Sequence, residues 1–277
     1  MVRGMRHSPG HRRSWLTARG ALRVPQVGVA FWGIKALSTA MGEATSDYLV
    51  HAMLPQLAVL LGFVAFVAAL VVQFRQGRYV AWSYWLAVAM VGVFGTMAAD
   101  VLHVALHVPY TVSASLYAAV LAAVFLIWWR TERTLSIHTI DTPRREMFYW
   151  AAVAATFAMG TALGDFTAYD LHLGYFPSAA LFAGVIALPA IGYASLRRHG
   201  VLFFWLAYVV TRPLGASVAD GLGKPKGVSG LGLGDGPVAV ALAALIAVLV
   251  TYLTVSGADV QTAPAVQAEP VMEAEGA

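Results

Sequence analysis

The sequence predicts an all-α fold, a polytopic membrane helix bundle of eight transmembrane helices built from four tandem two-helix repeats with both termini on the cytoplasmic side. Three observations predict it: an apolar composition, eight apolar segments of membrane-crossing length, and a residue pattern that recurs four times. Of the 277 residues, 59% are hydrophobic and 12% charged, with a mean hydropathy of +0.70. That is too little polar surface to solvate a globule of this size in water, so lipid must be the solvent.

A helix needs about 20 mostly apolar residues to cross the hydrocarbon core. Eight segments meet this, near 29–49, 55–74, 82–106, 110–129, 147–169, 175–195, 202–221 and 237–255. Arginines cluster between them, with Arg75 and Arg78 after the second, Arg130, Arg133, Arg144 and Arg145 after the fourth, and Arg197 and Arg198 after the sixth. The excess of basic residues marks these connections as cytoplasmic. The first 28 residues carry Arg3, Arg6, Arg12, Arg13, Arg19 and Arg23 with no acid, and read as a basic cytoplasmic tail. No cleavage pattern separates that tail from the first span, so it does not read as a signal peptide. Residues 256–277 are rich in Ala, Glu and Pro and read as a disordered acidic tail. The membrane domain is 29–255, with repeats 29–74, 82–129, 147–195 and 202–255. The predicted location is the cytoplasmic (inner) membrane.

Aligning the odd-numbered spans on tryptophan gives Trp32, Trp85, Trp150 and Trp205, each preceded by Phe31, Tyr84, Tyr149 or Phe204. Glycine follows at Gly42, Gly95, Gly160 and Gly215, then a small residue at Ser46, Ala99, Gly164 and Ala219, and then Asp47, Asp100, Asp165 and Asp220. A pattern W-x9-G-x3-small-D repeated four times in one chain marks an internal duplication. The aromatic pair is expected at the headgroup boundary. Glycine with a small residue four positions on lets backbones approach closely, so the odd spans should form the inner bundle. The aspartate lies about 22 Å from the tryptophan at 1.5 Å per residue, in the outer part of the membrane.

An aspartate at mid-membrane costs about 2.5–3.5 kcal/mol, and less nearer the interface, so four of them should face one another, water or a cation. One turn before each stands Glu43, Thr96, Thr161 or Ala216. The functional reading is a cation site from Glu43, Asp47, Asp100, Asp165 and Asp220; the structural one is that these acids pair with Lys224 or Arg212 and hold the repeats in register. Arg212, in Thr211-Arg212-Pro213, is expected near mid-membrane facing the bundle, with Lys35 as a second basic residue in an odd span. Asp100, His103 and His107 share one face if the helix is continuous, a spacing suited to a divalent metal, and Asp47 with His51 repeats the theme. Interfacial histidines are the alternative. The glycine-rich stretch 224–237 lacks a Gly-Lys-Ser/Thr ending and a preceding strand, so it is not a phosphate loop.

The stretches KALSTAMGEATSD (35–47), GTMAAD (95–100), EMFYWAAVAATFAMGTALGD (146–165) and FWLAYVVTRPLGASVAD (204–220) resemble the repeat cores of a bacterial family of multi-pass, membrane-anchored proteins with four tandem two-helix repeats of unknown function. The resemblance covers roughly 29–255 and implies the architecture rather than a chemistry. The second copy has no Glu, Lys or Arg within its span, so the four copies are not equivalent.

With no cysteine, thiolate metal sites and disulfides are excluded. The net charge of +4 is spread between spans rather than gathered in a patch, which excludes a nucleic-acid partner. The function expected is a cation transporter or channel, with a divalent metal ion as ligand and no resident cofactor. The alternative is a non-transporting scaffold that binds a partner protein. An enzyme is not expected, because no nucleophile or general base accompanies the Asp100–His103–His107 set. Expected partners are membrane lipid, an inorganic cation and a second copy of the chain in a homo-oligomer.

Overall fold

The computed structural model describes residues 22–195 and 199–261. Eight long helices follow one another: α1 (Val29–Ala52), α2 (Pro55–Arg75), α3 (Ala81–Asp100), α4 (Tyr110–Glu132), α5 (Pro143–Asp165), α6 (Tyr175–Ser195), α7 (Gly200–Gly223) and α8 (Asp235–Ser256). No strand occurs among the described residues. Local chemistry sets several ends. Pro55 occupies the first turn of α2, where no donor is needed. Thr142 caps α5 by accepting the Arg145 amide at 3.3 Å. Gly257, at φ 63°, ends α8 in the left-handed turn that glycine adopts without strain.

Seven of these helices are long and apolar enough to cross a membrane: Pro55–Arg75, Ala81–His103, Tyr110–Glu132, Pro143–Asp170, Tyr175–Tyr193, Gly200–Gly223 and Asp235–Ser256. The exception is α1, whose 24 residues include Lys35, Glu43 and Asp47. All three side chains are buried against neighbouring helices.

The odd helices form a closed inner ring, α1 against α3, α3 against α5, α5 against α7, and α7 against α1. Each even helix packs outside the odd helix that follows it: α2 on α3, α4 on α5, α6 on α7, and α8 on α1. The packing unit is therefore shifted by one helix from the sequence repeat, and the last helix completes the first.

The repeat glycines make the ring. A methyl group on Gly42 would lie 2.7 Å from the Gly92 carbonyl carbon of α3, and one on Gly95 would lie 2.8 Å from the Phe157 Cβ of α5. One on Gly160 would lie 3.0 Å from the Pro213 Cδ of α7, and one on Gly215 would lie 3.0 Å from the Ala40 amide of α1. Each copy thus uses its glycine to admit the next inner helix, and the fourth closes on the first.

The aromatic pairs pack into the core at one end of the ring. Phe31, Tyr84, Trp85, Tyr149, Trp150 and Trp205 are buried, with Phe31 and Trp85 at 5.7 Å and Tyr149 and Trp205 at 6.1 Å between ring centres. They pack one end of the ring, here the aromatic end, opposite the carboxylate end that carries the repeat aspartates.

The expected tails also shorten. Most of residues 1–28 and 256–277 lie outside the described residues, but those nearest the bundle are packed. The Gln26 amide donates to the Asp259 carbonyl at 2.8 Å, the Arg23 amide to Ile140 at 2.9 Å, and the Tyr79 amide to Leu22 at 2.9 Å. The Gln261 side chain donates to Pro25 at 2.9 Å. Segments 22–27 and 257–261 are clasped across the aromatic end, with Val24 and Asp259 buried beneath them.

Candidate functional site

Inside the ring, charged groups are held by all four odd helices. Arg212, on α7, is fully buried. Its Nη2 donates to Glu43 Oε2 of α1 at 2.5 Å, to Thr161 Oγ1 of α5 at 2.6 Å and to Thr96 Oγ1 of α3. Its Nη1 donates to the Thr39 carbonyl at 3.2 Å. Glu43, Thr96 and Thr161 are the residues one turn before the aspartate in three copies. In the fourth that position is Ala216, and its lack of a polar group leaves room for Arg212 from one turn further back. One guanidinium thus ties four helices together, with its charge matched by Glu43, as a buried charge requires.

Lys35 lies nearer the aromatic end, with no exposure and no hydrogen-bond partner for its Nζ. The amine sits 4.4 Å from the centre of the Phe157 ring and 4.3 Å from that of Tyr208. Aromatic faces are its counter-charge.

At the carboxylate end, Glu43, Asp47 and Asp220 each present an oxygen within 4.8 Å of the others, all buried. This is the cluster of metal-ligating type among the described residues. Lys224, just beyond α7, reaches into it, bonding Asp47, with Asp235 at 3.4 Å and Asp220 at 4.0 Å. Burial works against the charge of this amine. The carboxylates of Asp47 and Asp220 outweigh burial, and the lysine holds its proton more tightly than usual.

The sequence-derived residues divide accordingly. Glu43, Asp47, Asp220 and Arg212 come together. Asp165 is buried and Asp100 half-buried near the same end, but neither belongs to the three-carboxylate cluster. Asp100, His103 and His107 form no ligand cluster among the described residues. The helix continues past Asp100 as a π-turn, Val101–Ala105, so the i, i+3, i+7 register of an α-helix is lost. His103 Nδ1 bonds the Val108 carbonyl at 2.9 Å and its ring stacks on Tyr110. His107 is exposed in a left-handed turn at φ 54°. His51 Nδ1 bonds the backbone carbonyl of Asp47 at 2.6 Å rather than its carboxylate.

Sequence reasoning missed a second buried polar network. At the aromatic end, Arg23 donates to Glu146 at 2.7 Å, Gln73 donates to the same carboxylate at 3.0 Å, and Ser83 donates to Gln73 at 2.8 Å. The signal was an acid, Glu146, alone in the first turn of a span. Its long-range partners, Arg23 of the tail and Gln73 of α2, with Ser83 of α3 joined through Gln73, leave no local spacing to reveal them; the local pair is with the Trp150 indole, which donates to it at 3.5 Å one turn on.

Fold and site define a membrane-type helical bundle of tandem repeats with a charged, largely desolvated interior. The chain belongs to the family described as Repeat of Unknown Function (DUF347), whose profile matches residues 83–134, 148–199 and 203–259. The first copy, 29–74, lies outside the matched segments yet carries the same pattern and completes the ring. No curated protein and no solved structure matches the chain.

Proposed function

We propose that this protein is a cation transporter of the bacterial cytoplasmic membrane, with a divalent metal as cargo and Glu43, Asp47 and Asp220 as the site that receives it. All eight helices cross the membrane in this reading, α1 included, because its charges are shielded within the ring. The aromatic end, which carries Arg75, Arg78, Arg130, Arg133, Arg144 and Arg145, faces the cytoplasm with both termini, following the positive-inside rule.

The observation that carries the proposal is the imbalance of charge at the carboxylate end. Glu43, Asp47, Asp100, Asp165, Asp220 and Asp235 stand against Arg212 and Lys224. Carboxylates in a desolvated interior call for cations or protons to balance them, and intramembrane acids of this kind serve ion pathways. Hard oxygen ligands without thiolate suit Mg²⁺, Ca²⁺ or Mn²⁺. Asp100 and Asp165 serve as the next step of the path in this reading.

The test is thermal unfolding of the purified protein against Mn²⁺, Zn²⁺, Mg²⁺ and Ca²⁺, with flux measured in proteoliposomes. At least one ion should raise the melting temperature, and Asp47→Asn or Asp220→Asn should abolish that rise and the flux. Undiminished flux in both variants removes the proposal. A scaffold role is favoured by one observation, the Arg212 hub that joins four helices. It predicts that no ion changes melting and that the aspartate variants lower stability alone.

A further inference from the structure

The outer layer of helices leaves the seam between α5 and α7 open. Around α1 the seams are covered from outside, since α8 touches α1, α3 and α7, and α2 touches α1 as well as α3. At the open seam α4 keeps to α5 and α6 to α7, and between α4 and α7 runs a trough of about 700 Å³. Met159 of α5 is its floor, Ala118 and Ala122 of α4 form one wall, and Leu206 and Val210 of α7 form the other. Leu135 and His199 line its mouth at the aromatic end, where the Trp205 indole donates to the Leu135 carbonyl at 3.0 Å. A second hollow of about 350 Å³, which shares Ala118 and Met159, continues it toward Thr111 and Phe166 at the carboxylate end.

Side-chain choice makes the space. Met159 stands one residue before a ring glycine, and so does Phe94 in the second copy. Phe94 is covered by Phe63 and Phe66 of α2, each at 5.3 Å between ring centres. Thus α4 brings alanine to Met159 where α2 brings phenylalanine to Phe94. A void in a close-packed protein forfeits dispersion contacts along its walls. In a bilayer the molecule at hand to restore them is a lipid.

Depth and charge both fit one. Along α7 the trough wall runs from Gly200 to Val210, about 15 Å at 1.5 Å per residue. That is the depth of one leaflet in a hydrocarbon core of about 30 Å. Trp129 continues the α4 face of Ala118, Ala122 and Phe125 at helical spacing to the end of the helix, and it is exposed, as suits an indole at headgroup level. The Arg133 guanidinium stands over Trp129, 5.3 Å from the ring centre. Arg133 and the nearby Arg130 are exposed, and neither pairs with a carboxylate among the described residues. The acid between them, Glu132, is taken by Arg144 and Arg145.

We propose that the trough binds an acyl chain of an anionic phospholipid, with its phosphate held by Arg133 and His199 at the aromatic end. Basic residues at the mouths of crevices between transmembrane helices hold such headgroups. The lipid completes the outer layer at the seam where Gly160 lies against the Arg212 side chain, and so braces the helices around the buried hub. This site is separate from the three-carboxylate cluster and does not depend on the transport reading.

The experiment titrates the full chain, purified in detergent, with phosphatidylglycerol or with phosphatidylcholine of the same acyl chains, which carries no net charge. Native mass spectrometry counts the lipid retained and the copies of the chain, and thermal unfolding reads the effect on stability. Ala122→Phe and Leu206→Trp fill the trough from opposite walls, both at exposed positions. Arg133→Asn removes the headgroup contact with a residue that accepts the left-handed backbone at φ 56°. Val240→Phe, at an exposed position of α8, is the control.

The expected result is one phosphatidylglycerol retained per chain, with a rise in melting temperature of about 2–4 °C that phosphatidylcholine does not give. Both effects should be lost in the two filled variants and kept in Val240→Phe. Arg133→Asn should bind phosphatidylglycerol about fivefold more weakly, the scale of one basic residue at a membrane surface. Equal retention of the two lipids, or undiminished phosphatidylglycerol binding in Arg133→Asn, overturns the headgroup assignment and with it the proposal. Undiminished retention in both filled variants overturns it by placing the lipid elsewhere. A wild-type dimer that either filled variant dissociates overturns it as well, by giving the trough to a second copy of the chain.

Discussion

Arg212 of α7 and Glu43 of α1 meet at 2.5 Å inside the ring, 169 residues apart in the chain. The guanidinium lies within a cage completed by Thr96, Thr161 and the Thr39 carbonyl, which take up its two terminal nitrogens, while its buried Nε has no hydrogen-bond partner. Removing one partner should leave the other uncompensated and cost about 3–5 kcal/mol. Glu43→Gln and Arg212→Met are each expected to lower the melting temperature in detergent sharply. Pairing the two substitutions should recover part of the loss, and a double variant as unstable as the sum of the singles would count against a direct pair.

The ring seams depend on the absence of side chains at four glycines. Gly95→Val, which would press on Phe157, should cost about 1–3 kcal/mol or more through overpacking. Gly184, in α6, has open space where a methyl group would go. Gly184→Ala is expected to leave melting unchanged or raise it slightly, through better helix propensity.

Lys224 occupies Asp47 and Asp220, the carboxylates assigned to the cation in the proposed function. If that proposal holds, Lys224→Met raises the affinity for Mn²⁺ by roughly tenfold, the scale of one nearby charge in a partly desolvated site. It should also destabilise the ion-free form. Titration calorimetry of wild type and variant reads the first effect and thermal unfolding without added ion the second, and equal or weaker binding in the variant contradicts the competition.

The clasp over the aromatic end should respond to pH. Because burial raises the proton affinity of Asp259, the folded state favours its neutral form. Its contribution to the docking of 257–261 is therefore fully present below the ordinary aspartate range and lost as pH rises through the raised value. Limited proteolysis or amide exchange of this segment should slow on acidification, and Asp259→Asn should remove that dependence.

The helices were legible because lipid imposes a length and an apolarity on every span, and because a fourfold pattern fixes register independently of either. Gly42, Gly95, Gly160 and Gly215 announced the inner ring for the same reason. What failed was whatever depended on assuming a uniform helix or a nearby partner. The π-turn after Asp100 undid the histidine spacing, since nothing in Val101–Ala105 distinguishes five-residue from four-residue hydrogen bonding. Asp259 with Tyr79, and Arg23 with Glu146, join parts of the chain 180 and 123 residues apart. Pairings at such separations leave no trace in local periodicity.

The seating of α8 on α1 governs the order in which the chain can be assembled. During synthesis α1 is made first, yet of the eight helices it is the one without an apolar stretch of membrane-crossing length, and its outer cover, α8, is the last to be made. Through most of translation Lys35, Glu43 and Asp47 lack the neighbours that later enclose them, so the nascent first helix must be sheltered by insertion machinery or held at the interface. The final helix then serves as a checkpoint: a chain that stops short of α8 presents an unshielded α1 to lipid, and quality control can tell it from the finished protein.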